Sequence, residues 1–140
     1  MTLLGILLAA RPGTSSVTRS VDIMREAGCT QILVVQEVTL SASVRAGLTW
    51  ALAQEADLAL LHMANKPDIT TPVLRRVLAA AGTGPTALAR AALADRATHP
   101  VVLGRDHWQP AHDAAHGNRS AGPYLKRVPC PLIPCDDLVP

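Results

Sequence analysis

Phenylalanine is absent from this 140-residue chain, which has one Tyr and two Trp. Grooves that hold single-stranded nucleic acid stack successive bases on aromatic side chains, and three aromatic residues are too few to line one. Runs of one charge are also scarce. Thirteen Lys and Arg face eleven Asp and Glu, and basic residues adjoin only at Arg75-Arg76 and Lys126-Arg127. No stripe suited to a phosphate backbone results, so nucleic acid is not an expected partner. Apolar residues make up 49% of the chain but fall in short separate runs, none reaching the roughly 20 residues that span a bilayer, so no membrane partner is expected either. Cysteine is limited to Cys29, Cys130 and Cys135, an odd number that a secreted protein of this length rarely carries. A reducing, cytoplasmic setting is the simpler expectation. The gap between Cys130 and Cys135 admits a disulfide only where the chain bends, and free thiols are the default.

What is present describes a folded domain. Only 17% of residues are charged, and a chain of this length buries roughly two-thirds of its unfolded surface as one domain. The opening MTLLGILLAA has no basic residue ahead of its apolar part, so it reads as a buried first strand, Leu3 to Leu8, rather than a signal peptide. Turn residues Arg11 to Ser16 follow. Val17, Val21 and Met24 then recur at helical spacing before Gly28, and Gln31 to Gln36 reads as a second buried strand. Strand, helix and strand in this order make a βαβ unit. A helix capped by Ser41 or Ser43 and reaching about Gln54 buries Val44, Leu48 and Leu52. Leu58 to Met63 is the third strand. Thr71 stands as cap before Pro72, and a helix runs on to Ala81 and stops at Gly82. Thr86 to Ala92 and His99 to Leu103 read as a hairpin around Asp95-Arg96-Ala97. Short helices are expected over His107 to His116 and Ala121 to Arg127, and a proline-interrupted edge segment over Val128 to Cys135. The whole is an open sheet of about five strands. His107, His112 and His116 invite a metal reading, but no Cys or carboxylate completes a zinc motif, and surface or part-buried histidines are the simpler account.

Several segments together resemble the MobA-like nucleotidyltransferases, which attach a nucleotide to molybdopterin. GILLAARPGTSS is similar to that family's strand and Gly-rich nucleotide loop, and REAGCTQILVV to its next helix and strand. SASVRAGLTWAL is similar to the segment before its third strand, and NKPDITTPVLRRVLAA to its strand-end Asp, Pro and helix. HPVVLGRDHWQPAHDAAHGNRSAGPYLKRVPC is close to its Gly-Arg-X-His-Trp and Gly-X-Arg-X-Ala-X-X-X-Leu pattern. The resemblance implies an α/β, three-layer α/β/α Rossmann-like nucleotidyltransferase fold with a mostly parallel sheet, one domain over residues 1–140. It implies nucleotide binding at Ala9, Ala10, Arg11, Gly13, Thr14 and Ser15, with magnesium at Asn65 in an active enzyme. GTP or CTP would be the donor and a molybdopterin-like phosphate the acceptor, with the Thr86 to Ala92 strand and Arg105 shaping the acceptor side.

Departures from the family pattern fall on the chemistry. Arg11 takes the place of the first loop glycine, Pro12 removes an N–H donor, and the chain passes into Val17-Thr18-Arg19 without the family's second Gly and Lys. Arg19 is a weak substitute for that cation. Asn65 replaces a metal-binding Asp and contributes no charge, Asp68 remains three residues on, and Asp136 and Asp137 do not match the family's last Asp pair, before which the chain stops. Two classes of function follow: a nucleotidyltransferase, or a shortened non-catalytic relative that has lost phosphate and metal binding.

Overall fold

All six residues of β1, Leu3–Leu8, are buried, as a continuous apolar run in the middle of a parallel sheet must be. The computed structural model describes residues 2–9, 15–117 and 120–140, with Ser15 described by its backbone alone. In chain order β1 is followed by α1 (Ser15–Glu26), β2 (Gln31–Val35), α2 (Leu40–Leu52), β3 (Leu58–Met63) and α3 (Thr71–Ala81). Then come β4 (Leu88–Leu93), β5 (Arg96–Gly104), α4 (Trp108–Ala114), α5 (Gly122–Leu125) and β6 (Leu132–Pro134). The strands form one sheet in the order β2-β1-β3-β5-β4-β6. β1 runs parallel to β2 and β3, β6 parallel to β4, and β5 alone runs against its neighbours β3 and β4.

The sheet separates two apolar layers, so the expected three-layer α/β architecture with a mostly parallel sheet is present. On one face Leu3, Leu7, Leu58 and Leu60 pack with Met24 of α1 and Val73, Leu74 and Val77 of α3. On the other, Leu4, Ile6, Leu8, Ala59 and Leu61 pack with Val44 and Leu48 of α2 and Trp108 of α4. The alternation along β1 and β3 follows from the two-residue period of a strand. Close approach of α2 to β1 depends on Gly47, where a Cβ would lie 2.5 Å from Ile6 Cγ2. Trp108 is fully buried and its indole N–H donates to the Leu103 carbonyl at 2.9 Å.

The connections have an unusual hand. From β1 to β2 the chain steps one way across the sheet through α1, and from β3 to β4 it steps the other way through α3, on the same face. For parallel strands, opposite steps over one face have opposite hands, so one of these two crossovers departs from the strong right-handed rule.

Several local expectations are corrected. β2 lies at the sheet edge and is only partly buried, with Val34 43% exposed. An apolar run does not reveal whether a neighbour covers its outer side. The cap of α2 is Thr39, whose hydroxyl accepts from the Ala42 N–H at 3.1 Å. Ser41 and Ser43 lie inside the helix, and Ser43 Oγ accepts from the Glu37 N–H at 3.0 Å. Thr71 does not cap α3 either. It is the first helical residue after Thr70, and its hydroxyl donates to Glu26 Oε2 at 2.8 Å, tying α3 to the end of α1. The hairpin forms, but its turn is at Ala94 and Asp95, and Arg96 and Ala97, expected in the turn, pair with Leu93 and Ala92 at the start of β5. The edge segment forms β6 beside β4 in spite of its prolines.

Candidate functional site

Five strands direct their carboxyl ends to one side of the sheet, and at β1 the loops of neighbouring strands part: β1 leads to α1 on one face and β2 to α2 on the other. Ligands of α/β proteins bind over the carboxyl ends of the strands, and the loops after β1 and β3, which lead to α1 and α3 on one face, border a crevice there. The Ala64 N–H donates to the Leu8 carbonyl, and the Ala9 N–H to the Val35 carbonyl, both at 3.0 Å, which holds the ends of β2, β1 and β3 together. Ala9 is buried and its amide is committed to that bond. The expected nucleotide residues Ala10, Arg11, Gly13 and Thr14, and the side chain of Ser15, lie outside the described residues. Asn65 sits where the sequence places it, exposed in the turn directly after β3.

Three basic groups gather at the end of β3. Arg19, on the first half of α1, donates from Nη2 to the Ile69 carbonyl at 2.8 Å and so spans from α1 to the loop before α3. Lys66 lies in that same loop. Between them in charge reach is His62, a residue of β3 paired with Leu7 of β1 and fully buried. Both of its ring nitrogens are without a hydrogen-bond partner among the described residues. Burial first, then the positive charges of Arg19 and Lys66, lower its pKa to about 4, so the imidazole is neutral at physiological pH. Sequence inspection passes over His62 because one polar residue within LALLHM looks like part of an apolar strand. Its alternation on β3, set against the apolar neighbours, was the signal available.

A second basic group stands on the opposite face. His99 of β5 is buried, its Nε2 lies 3.1 Å from Ser120 Oγ, and burial, reinforced by His62, Arg90 and Lys66, holds it well below the usual histidine range. Arg90 of β4 donates from Nε to the Thr98 carbonyl at 3.2 Å. It lines a cavity of about 320 Å³ with Leu125, Lys126 and Cys130.

The carboxylates go elsewhere. Asp137 makes a two-pronged ion pair with Arg76 at 2.6 and 2.9 Å, and Asp136 Oδ1 accepts from the Ala94 N–H at 2.6 Å. Glu26 receives Thr71. At the strand ends Glu37 and Asp68 are exposed, one past β2 and the other past β3. No group of three or more His, Cys, Asp or Glu able to hold a metal occurs among the described residues, and positions 1, 10–14, 118 and 119 are of none of these types. A hard divalent cation seeks one or two carboxylates besides phosphate oxygens. A single exposed amide at Asn65 beside two cations does not meet that need, so the residues present do not fit magnesium.

The remaining expected residues have structural duties. Arg105 donates from Nη1 to the Gln54 and Ala56 carbonyls and from Nη2 to the Leu52 carbonyl, at 2.7 to 2.9 Å, and lies 5.1 Å from the Trp108 ring. It closes the carboxyl end of α2, and the neighbouring Gly104 pairs with Leu58 at the start of β3, the opposite end of the sheet from the crevice. His107 meets the Tyr124 hydroxyl at 2.6 Å, and His112 lies beside Asp113. Cys29, Cys130 and Cys135 are all free thiols. No described helix is long and apolar enough to cross a membrane.

No protein-family model matches the chain, and no curated protein matches it in sequence. Solved structures do match. Rv0371c of Mycobacterium tuberculosis, crystallised in complex with manganese, is similar over 96% of this chain and 87% of its own, with 19% identity and a TM-score of 0.70. A nucleotidyl transferase from Methanothermobacter is similar over 94% of this chain and 85% of its own, at 17% identity and a TM-score of 0.71. The 2-C-methyl-D-erythritol 4-phosphate cytidylyltransferase of Thermus thermophilus is similar over 99% and 91%, at 16% identity and a TM-score of 0.71. The chain has a nucleotidyltransferase-like fold.

Proposed function

We propose that this chain binds a nucleoside triphosphate, GTP or CTP, in the crevice at the carboxyl ends of β1 and β3, as a relative of the enzymes that pass a nucleoside monophosphate to molybdopterin. The observation that carries this reading is the gathering of Arg19, Lys66 and a neutral His62 at the strand ends, beside the start of α1. Cations there, with the positive end of the α1 dipole, attract phosphate. In this reading α1 and the segment before it hold the triphosphate, and a phosphorylated, molybdopterin-like acceptor approaches from the side of β4. Magnesium belongs to this reading only as the cofactor of the resembling family.

A second reading, a relative that keeps the fold without turnover, is favoured by one specific observation. Asp136 and Asp137, the carboxylates nearest the chain end, are committed to Ala94 and Arg76, and residue 65 is an amide. Calorimetric titration of the folded protein with GTP and CTP tests the binding, and pyrophosphate release on adding molybdopterin tests the transfer. Binding with pyrophosphate release supports the enzyme, and binding without release supports the second reading with its nucleotide site retained. Absence of binding removes the proposal.

A further inference from the structure

The nucleotide crevice proposed above lies at the end of β3, and the charges gathered there are the reverse of a metal site. Arg19 and Lys66 flank His62, Asn65 contributes no charge, and no group of metal ligands occurs among the described residues. Along the chain the nearest carboxylates to the two cations are Asp22, three residues from Arg19, and Asp68, two from Lys66; both are exposed and neither is in a metal-binding group among the described residues. A divalent cation placed among Arg19, Lys66 and the α1 dipole would be repelled, with no carboxylate group to offset the repulsion. The same surroundings favour an anion without help.

His62 supplies the independent observation. A neutral imidazole has one N–H donor and one acceptor nitrogen, and both of those of His62 are unpartnered among the described residues although the residue is fully buried. Orphaned polar atoms of this kind in a folded protein call for a role. At the end of β3, in reach of two cations, an N–H donor suits a phosphate oxygen joined to it through a bridging water, because the ring has no open surface for direct contact.

We infer that the crevice binds the phosphates of a nucleotide on Arg19, Lys66 and the His62 imidazole without a divalent cation. This rests on the reading that the crevice binds nucleotide, and it concerns how the charge of that nucleotide is neutralised. Protein cations replace the metal: Lys66 and the part of the Arg19 guanidinium not engaged by Ile69 offset the phosphate charge, and His62 donates a neutral hydrogen bond.

The test is titration of the intact protein with GTP and CTP in EDTA, in magnesium and in manganese, with folding followed by circular dichroism. The expected result is an affinity in EDTA within about threefold of that in either metal, falling steeply with salt. Lys66→Glu reverses one charge and lowers the affinity by about tenfold or more. His62→Leu lowers it severalfold and leaves the salt dependence unchanged, because no charge is removed. Nucleotide binding that requires magnesium or manganese overturns the inference and leaves the nucleotide reading standing. Absence of binding by a folded sample under every condition overturns both. Metal-independent binding that Lys66→Glu and His62→Leu leave untouched also overturns the inference, since the phosphates then sit elsewhere.

Discussion

Replacing His62 by Leu should stabilise the protein against acid. The imidazole is fully buried with both nitrogens unpartnered among the described residues, and burial, Arg19 and Lys66 bring its folded-state pKa from 6.5 down to about 4. Between these values the unfolded chain binds a proton that the folded chain refuses. Stability therefore falls as pH drops through the unfolded value and levels off below the folded one. Integrated from about pH 7.5 to about pH 4.5, this linkage removes roughly 2.5 kcal/mol from the folded state. His99, also held low chiefly by burial, acts in the same direction, so the wild-type loss exceeds the contribution of His62 alone. His62→Leu deletes only that contribution and keeps a similar volume. Near neutral pH it should also gain about 1 kcal/mol, because two desolvated polar atoms give way to methyl groups. Urea unfolding of both proteins at the two pH values measures the difference directly. A variant whose stability falls with acid as steeply as the wild type would refute the reasoning, and would mean that His62 is solvated or partnered in solution.

Trp108→Ala removes the largest fully buried side chain and its bond to Leu103, and it should cost about 4 kcal/mol in chemical unfolding. Gly47→Ala pushes a methyl group into Ile6 and should cost roughly 1–3 kcal/mol, with part of the loss recovered in the double variant Gly47→Ala, Ile6→Val. Iodoacetamide near neutral pH should modify Cys130 first, because Cys29 is buried with its thiol pushed up to about 12 and Cys135 is fully enclosed. Mass spectrometry that finds Cys29 labelled in the folded protein before Cys130 would contradict that order.

Elements whose signals are local were legible in the sequence. β3 and α3 follow from an apolar run, a turn and a Thr-Pro start, and every one of those cues concerns residues within a turn of each other. The hairpin at Ala94 and Asp95 is of the same kind. Features that depend on partners distant in sequence were not legible. β2 reads as buried until the sheet order places it at an edge. The α2 cap is Thr39, with Ser43 inside the helix and engaged by the Glu37 amide, and Thr71 could not be assigned to Glu26 from a separation of 45 residues. Arg105 looked like an acceptor-site cation, but the carbonyls at the end of α2 claim it. The site follows the same rule: Asn65 was visible as a polar residue after a strand, whereas His62 gains its meaning from Arg19 on another element.

Core and crevice draw on different residues of β3 and the turn after it. Leu58 to Leu61 are buried and hold the sheet, while Asn65, a few residues on, is exposed and supports no packing. A change between amide and carboxylate at 65 would therefore cost the fold almost nothing, so the chemistry of a strand end can vary with the architecture unaltered. His62 breaks that division, because it lies in the buried part of the strand and yet is polar and, among the described residues, unpartnered. Packing alone would place Leu there and gain stability. A local choice that conflicts with the core marks a position set by something other than packing, and here the conflict falls at the end of β3 beside two cations. Stability and phosphate binding should thus pull residue 62 in opposite directions, so that His62→Leu folds more tightly and binds nucleotide less well.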